Sequence, residues 1–142
     1  MNDNNVQYAR WFRLLIVFSS VIYCALLALP SFDKNWISER GLDVLSYTGY
    51  GALFDFSESI LWSFVAIWFA CAIGLFFFWP WARLLFSVWM IISTGLSLTG
   101  GLQIHTSVEA LLVSTSNIFD GMLLATAWFS PVQEKFLPNP PA

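Results

Sequence analysis

Hydrophobic residues are concentrated in four long stretches, and a proline or a glycine pair lies at the end of each. The stretches cover residues 12–29, 59–79, 82–99 and 108–129. Pro30, Pro80 and Pro131 lie at the ends of the first, second and fourth stretches, and Gly100 and Gly101 follow the third. Proline removes a backbone donor and glycine favours helix exit, so these positions predict helix ends. Because a helix needs about 20 mostly apolar residues to cross a bilayer, the pattern predicts four transmembrane helices.

Composition favours a membrane environment over water. The chain has 142 residues, of which 58% are hydrophobic and 11% are charged. Soluble domains carry about 25% charged residues, and a surface this poor in charge would leave large apolar patches in water. Short connections between the later helices make them antiparallel neighbours. We therefore predict an all-α fold, an integral membrane four-helix bundle in one domain over residues 1–142, with a disordered tail over residues 136–142.

The distribution of basic residues predicts the orientation of the bundle. The side that holds both termini carries four of the six Lys and Arg residues: Arg10, Arg13, Arg83 and Lys135. Lys34 and Arg40 lie on the other side. The positive-inside rule then places both termini in the cytoplasm, in what we expect to be a bacterial inner membrane. The alternative for the first stretch is a cleaved signal peptide, but the segment from Cys24 to Pro30 lacks the small-residue spacing of a cleavage site.

Residues 30–58 form a long loop between the first and second predicted helices. The loop mixes acidic and aromatic residues, whereas a free linker is polar and low in aromatics. We therefore predict a structured outer loop that lies on the membrane surface, with a short helix near residues 36–46. Two interpretations fit this composition, interfacial anchoring and a face that docks a partner protein. The residues that would form the docking face are Trp36, Asp43, Tyr47, Tyr50 and Asp55.

Small residues recur at every fourth position in the second and third predicted helices. Lipid tails are as apolar as leucine, so helices in a bilayer associate through close backbone approach or polar contacts. Residues four apart share one face of a helix. The pattern therefore predicts two helix-packing seams, one formed by Ala66, Ala70 and Gly74 and the other by Ser93, Ser97 and Gly101.

Asp120 is the most informative polar residue, because it lies near the middle of the fourth predicted helix. An acid at that depth costs about 3 kcal/mol on insertion scales, so it needs polar company inside the protein. Ser116 and Asn117 fall on the same face as Asp120, together with Glu109 and Val113, at spacings of three and four residues. This stripe predicts that the polar face of the fourth helix points into the bundle.

Depth along the other helices identifies partners for Asp120. Its carboxyl should lie roughly 14 Å from the end of its helix, at a rise of 1.5 Å per residue. Four polar residues reach the same depth on the first and third helices: Ser20, Tyr23, Ser93 and Thr94. Two roles fit the resulting intramembrane polar site. It either bonds neighbouring helices and fixes the bundle, or it binds a proton, an ion or a partner helix.

The sequence carries no recognisable catalytic or cofactor signature. His105, the single histidine, is followed by Ser107 and Glu109, but neighbouring positions on a short turn do not make a catalytic triad. One histidine and two separated cysteines, Cys24 and Cys71, do not supply an ordinary zinc site. A net charge of −3 without a basic run argues against nucleic acid. We therefore expect no enzyme activity, no metal and no cofactor.

A compact four-helix plan with a folded outer loop and no catalytic groups resembles the membrane-embedded immunity proteins that protect a cell from pore-forming toxins. The resemblance implies a small, non-enzymatic inner-membrane protein. Such a protein would bind another membrane protein, a toxin in the same bilayer, through its polar helix face or its aromatic loop. The alternative is a small transporter or channel subunit that uses Asp120 as its ion or proton site. The expected partners are the lipid bilayer and a membrane protein.

Overall fold

The computed structural model describes residues 3–54 and 57–137, and these residues form helices joined by short turns, without a strand among them. Two of the helices are short: α2 over Glu39–Leu45 and a final 3-10 helix over Pro131–Phe136. The other helices are long. They are α1 over Asp3–Trp36, α3 over Glu58–Phe76, α4 over Pro80–Ser97 and α5 over Ser107–Phe129.

Three of these helices are long and apolar enough to cross a membrane. The candidate spans are Val6–Phe32 within α1, all of α3 and all of α5. Their mean hydropathies are 2.3, 2.1 and 1.3, which is the composition of a membrane protein. The helix α4 is not among them, since its 18 residues include Arg83 and several serines that lower its hydropathy.

Pro30 does not end the first helix, so the prediction of a helix over residues 12–29 was wrong at both ends. The helix α1 continues through Pro30 to Trp36 and begins at Asp3. A proline deprives one carbonyl of its partner, but the remaining backbone bonds of the helix persist where water does not compete for them.

Pro80 begins a helix instead of ending one. The helix α3 ends at Phe76, before the predicted residue 79, and α4 starts at Pro80 with Trp79 as its cap. Proline suits the first helical position because the missing N–H has no helical partner there. Phe78 takes a left-handed backbone, with φ of 57°, and the Trp79 N–H donates to the Gly74 carbonyl at 2.9 Å. These two features tighten the α3–α4 turn.

The long helices form a ring in the order α1, α3, α4 and α5. Contact is most extensive between α1 and α5 and least extensive between α4 and α5. We call the end of the bundle with the α3–α4 turn and residues 131–137 the terminal end. The opposite end, with α2 and the α4–α5 turn, is the loop end.

The outer loop of residues 46–53 is bound to the α4–α5 turn by backbone hydrogen bonds. The Gly49 N–H donates to the Leu102 carbonyl at 2.7 Å, and the Leu102 N–H donates to the Tyr50 carbonyl at 3.0 Å. The Leu53 N–H donates to the Thr99 carbonyl, also at 3.0 Å. The short helix α2 lies inside the range of residues 36–46 that the sequence predicts. The loop is therefore an ordered cap on the bundle.

The most tightly packed core lies in the terminal half of the bundle. Phe12 is fully buried, and Leu75, Phe86 and Phe136 are each 1% exposed. Phe136 was predicted to begin a disordered tail, and this was wrong, because its ring packs 6.1 Å from Phe12 and 5.3 Å from Phe78. The rest of the predicted tail, residues 138–142, lies outside the described residues.

Candidate functional site

Asp120 lies where α5 packs against α1, and it is 4% exposed. The Ser19 hydroxyl of α1 donates a hydrogen bond of 2.9 Å to Asp120 Oδ1, and Ser19 is fully buried. A buried carboxyl in an apolar bundle needs such a partner, because an unpaired polar group away from water costs several kcal/mol. The bond therefore fixes the acid in place and joins the two helices that contact each other most.

Ser19, and not the predicted Ser20, is the partner of Asp120. The Ser20 hydroxyl turns back and donates to the Ile16 carbonyl of its own helix, at 2.8 Å. Counting residues along the helix gave the right depth in the bundle. A shift of one residue, however, turns the direction of the side chain by about 100° around the helix axis. The signal that would have chosen correctly is the spacing of Phe12, Ile16 and Ser19, which places all three on one buried face.

Trp68 of α3 completes the surroundings of Asp120, and no sequence motif singled it out. Trp68 is 1% exposed, and the Tyr23 ring stacks on it at 4.4 Å with an angle of 5° between the planes. The Trp68 indole lies near the Asp120 carboxyl, but its buried N–H makes no hydrogen bond among the described residues. Three helices, α1, α3 and α5, therefore meet at this carboxyl.

A cavity of about 710 Å³ extends from the loop end to Asp120, and it is also open at its side, where Thr94 and Asn117 are exposed. Gln103 and His105 lie at its mouth, where both are exposed, and His105 Nδ1 lies 3.1 Å from Glu109 Oε1. Six of the seven residues predicted for the polar site line this cavity: Tyr23, Ser93, Thr94, Ser116, Asn117 and Asp120. The structure thus brings together polar residues of α1, α4 and α5 around one space.

The cavity occupies only the loop half of the bundle. On α4 its lining begins at Trp89, and on α5 it ends at Asp120. Trp89 is 9% exposed, and its indole N–H is buried without a hydrogen-bond partner among the described residues. Among the residues whose side chains the structure describes, neither arginine nor lysine lines the cavity. Its wall combines one carboxyl with hydroxyl, amide and aromatic groups, which suits polar or positively charged groups.

The predicted small-residue seams are only partly present. Gly74 is buried against α4, where an added Cβ would lie 2.7 Å from the Ala82 Cβ. Ala66 and Ala70 are exposed and lie off this seam, because the buried face of α3 runs through Trp68, Cys71 and Leu75 instead.

The second predicted seam was also placed wrongly. Ser97 is the last residue of α4 and lines the cavity mouth, where its hydroxyl donates to the Thr94 carbonyl. Gly101 lies beyond the helix in a left-handed conformation with φ of 70°. A Cβ there would lie 2.6 Å from the Tyr50 carbonyl oxygen, so Gly101 allows the outer loop to approach the α4–α5 turn.

The predicted docking residues of the outer loop are largely exposed. Trp36 is 87% exposed, Tyr50 76% and Tyr47 60%, and Asp43 is exposed as well. Asp55 lies outside the described residues. Tyr47 and Tyr50 line a depression that shares Leu61 and Gln103 with the cavity wall. Two of the loop aromatics therefore adjoin the cavity mouth.

Comparison with known proteins adds no relative to this description. No protein-family model, curated protein or solved structure matches the chain. The function must therefore be inferred from the cavity and from the side chains that surround Asp120.

Proposed function

We propose that this chain is a non-enzymatic membrane protein that binds a segment of another membrane protein in the cavity that ends at Asp120. The observation that carries the proposal is a carboxyl held at the inner end of a cavity with an exposed mouth. Thr94 and Asn117 line the cavity and are exposed, so their hydroxyl and amide groups are free to form hydrogen bonds with a polar helix. Such contacts drive helix association where lipid removes the hydrophobic contribution.

The dense packing between Asp120 and the terminal end supports binding of a partner over passage of an ion through the bundle. The terminal half of the bundle is filled by Phe12, Leu75, Phe86 and Leu123, each at most 2% exposed. The cavity wall includes none of these residues. A group that enters from the loop end therefore reaches the carboxyl and meets a closed floor of aromatic and aliphatic side chains.

In this proposal all four long helices, including α4, cross a bacterial inner membrane with both termini in the cytoplasm. Four basic residues lie towards the terminal end, namely Arg10, Arg13, Arg83 and Lys135. The positive-inside rule assigns that end to the cytoplasm. The cavity mouth and the outer loop then face outward, where an arriving membrane-active protein is first met.

A pore-forming or membrane-targeting toxin is the partner that we favour. The general plan resembles that of membrane-embedded immunity proteins, and a cavity that receives a polar segment of the toxin would hold it before a pore assembles. Tyr47 and Tyr50 at the cavity mouth supply the large, rigid aromatic surface that is enriched in protein interfaces.

Survival of toxin-challenged cells tests this proposal. Cells that express the protein are challenged with a panel of pore-forming toxins, and we expect protection against at least one of them. Asn117→Trp, which fills the cavity, should abolish protection. The control Ile91→Trp changes an α4 residue that is 73% exposed away from the cavity, and it should keep protection. Unchanged survival on loss of the protein across the panel would exclude the immunity role.

The polar lining of the cavity also favours a second candidate, an ion or proton site of a small transporter or channel subunit. Asp120 is the acid at its inner end, and hydroxyl and amide groups connect it with the mouth. Flux in proteoliposomes tests this role. Flux that is present with the wild-type protein and lost with Asp120→Asn would favour it over partner binding, and equal flux with both would eliminate it.

A further inference from the structure

Three cationic side chains from three different elements converge on one group of aromatic rings at the terminal end. Arg13 Cζ of α1 lies 5.1 Å from the Phe78 ring centroid, and Lys135 Nζ of the final 3-10 helix lies 5.9 Å from the same ring. Arg83 Cζ of α4 lies 5.9 Å from the Phe136 ring, which packs 5.3 Å from Phe78. We call Arg13, Arg83 and Lys135 the cation cluster.

The cation cluster has no acidic partner in the part of the chain that the structure describes. In that part of the chain, the contact of a basic with an acidic side chain is between His105 and Glu109, at the opposite end of the bundle. Aromatic faces attract cations, but each such contact contributes modestly and removes no charge. Like charges around one group of rings repel one another, so an anion bound among them would relieve the repulsion.

Donors of the cluster remain available for such an anion. Arg13 Nε donates to the Phe76 carbonyl at 3.3 Å, which holds the guanidinium in place at the end of α3. The Arg83 guanidinium lies 4.5 Å from the Trp128 ring, a second fixed orientation. Guanidinium groups present several N–H donors in a planar fork that matches phosphate geometry, and an orientation fixed beforehand lowers the entropy that binding removes.

The position of the cluster indicates which phosphate compound it meets. Trp79 and Trp81 flank the α3–α4 turn beside it and are 44% and 47% exposed, as in the aromatic belt at a membrane surface. Basic pockets between membrane helices at this level bind the headgroups of acidic lipids. The loop end instead carries the acids Glu39, Asp43, Glu58 and Glu109, which would repel such a headgroup. Glu134 precedes Lys135 at the terminal end, but it is exposed.

We propose that the cation cluster is a binding site for the phosphate headgroup of an acidic phospholipid in the leaflet at the terminal end. The two guanidinium groups bind the phosphate oxygens, and the Lys135 ammonium adds charge. This site is separate from the cavity at Asp120 and does not depend on the function proposed for it. Its occupant would tie α1, α4 and the final 3-10 helix together.

Lipid titration of the purified, full-length protein in detergent tests the proposal, with bound lipid counted by native mass spectrometry. We expect phosphatidylglycerol to bind more tightly than phosphatidylcholine. Arg13→Gln, Arg83→Gln or Lys135→Gln should each weaken phosphatidylglycerol binding roughly fivefold, and the triple variant roughly a hundredfold. The matched control is Arg10→Gln, an exposed cation one turn away on α1 that lies over no ring of the described residues, and it should leave the affinity nearly unchanged.

Three results would overturn the proposal. They are equal binding of the two lipids, equal binding by the triple variant and the wild-type protein, and a loss with Arg10→Gln as large as with Arg13→Gln. Inorganic phosphate that displaces the lipid at equal concentration would overturn its assignment to a lipid. If the triple variant fails to fold, as judged by helical circular dichroism, the three single variants decide. Each should weaken phosphatidylglycerol binding more than Arg10→Gln does, and a loss no larger than that of Arg10→Gln in all three would count against the site.

Discussion

The same long helices build both halves of this bundle, but the two halves contain different residues. In the terminal half, Phe12, Phe86 and Phe136 fill the space between the helices and are at most 1% exposed. In the loop half, the facing positions carry Ser93 and Asn117, among other polar residues, and the helices leave a cavity of about 710 Å³. Large rings close one half, whereas small polar side chains leave the other half open.

If the proposed function is right, this difference places stability in the terminal half of the bundle and partner binding in the loop half. Lipid gives no hydrophobic advantage to helix association, so close packing and polar contacts must hold the helices together. The terminal half supplies the packing, including the Trp128 N–H bond of 3.0 Å to the Ser87 hydroxyl that joins α4 and α5. The loop half is therefore able to remain open without loss of the fold, and Asp120 marks the boundary between them.

The largest expected loss of stability comes from a substitution in the terminal half. Phe12→Ala should lower the free energy of unfolding by about 3 kcal/mol, because it leaves a void that its fixed neighbours do not fill. Reversible unfolding in mixed micelles measures this. Phe18→Ala is the control, since Phe18 is 57% exposed on the same helix and should change the free energy little. Equal losses from the two substitutions would contradict the division between the halves.

Gly74→Ala should destabilise by about 2 kcal/mol, because the new Cβ would meet the Ala82 Cβ at 2.7 Å and neither atom can rotate away. Gly95→Ala on α4 is the matched control, since a Cβ there meets nothing within 4 Å. Alanine also favours helix by up to about 1 kcal/mol over glycine, so the control should be neutral or stabilising. The same unfolding measurement applies, and a neutral Gly74→Ala would show that the α3–α4 seam is looser than described.

At the boundary, the Ser19–Asp120 hydrogen bond should contribute about 1 kcal/mol, as interhelical polar contacts in membranes do. A double-mutant cycle with Ser19→Ala and Asp120→Ala isolates this coupling. The same cycle with Ser20→Ala in place of Ser19→Ala should give a coupling near zero, because the Ser20 hydroxyl bonds within its own helix. A larger coupling energy with Ser20 than with Ser19 would show that Ser20, the residue predicted from depth along the helix, is the partner of Asp120.

The smallest effect is expected in the open half. Val113→Phe adds a ring to the cavity wall and should change the unfolding free energy by no more than about 0.5 kcal/mol, since the space is already present. Partner binding, read from toxin protection, should nevertheless fall. A loss of stability comparable to that of Phe12→Ala would mean that the loop half is as closely packed as the terminal half.

Much of the fold was predictable because it depends on local pattern. The predicted helices of residues 59–79, 82–99 and 108–129 lie within two or three residues of α3, α4 and α5. The shifted end of α3 and the shifted start of α4 reflect the α3–α4 turn, where Pro80 is the first residue of a helix and does not end one. The helix end predicted at Pro30 was wrong for a related reason. It was predicted from one residue, whereas the backbone hydrogen bonds of a long apolar helix stabilise it along its whole length.

The sequence alone determined that apolar runs form helices, that Asp120 lies deep within one of them, and that Ser116 shares its buried face, whereas Asn117 of the same predicted stripe is exposed. Those properties follow from hydropathy, spacing and rise per residue. Only the tertiary structure decided that Ser19 and Trp68 surround the acid, that Gly101 receives the outer loop, and that three cations share one aromatic cluster. Each of these depends on the rotation and separation of helices distant in the chain, which side-chain packing sets and local pattern does not encode.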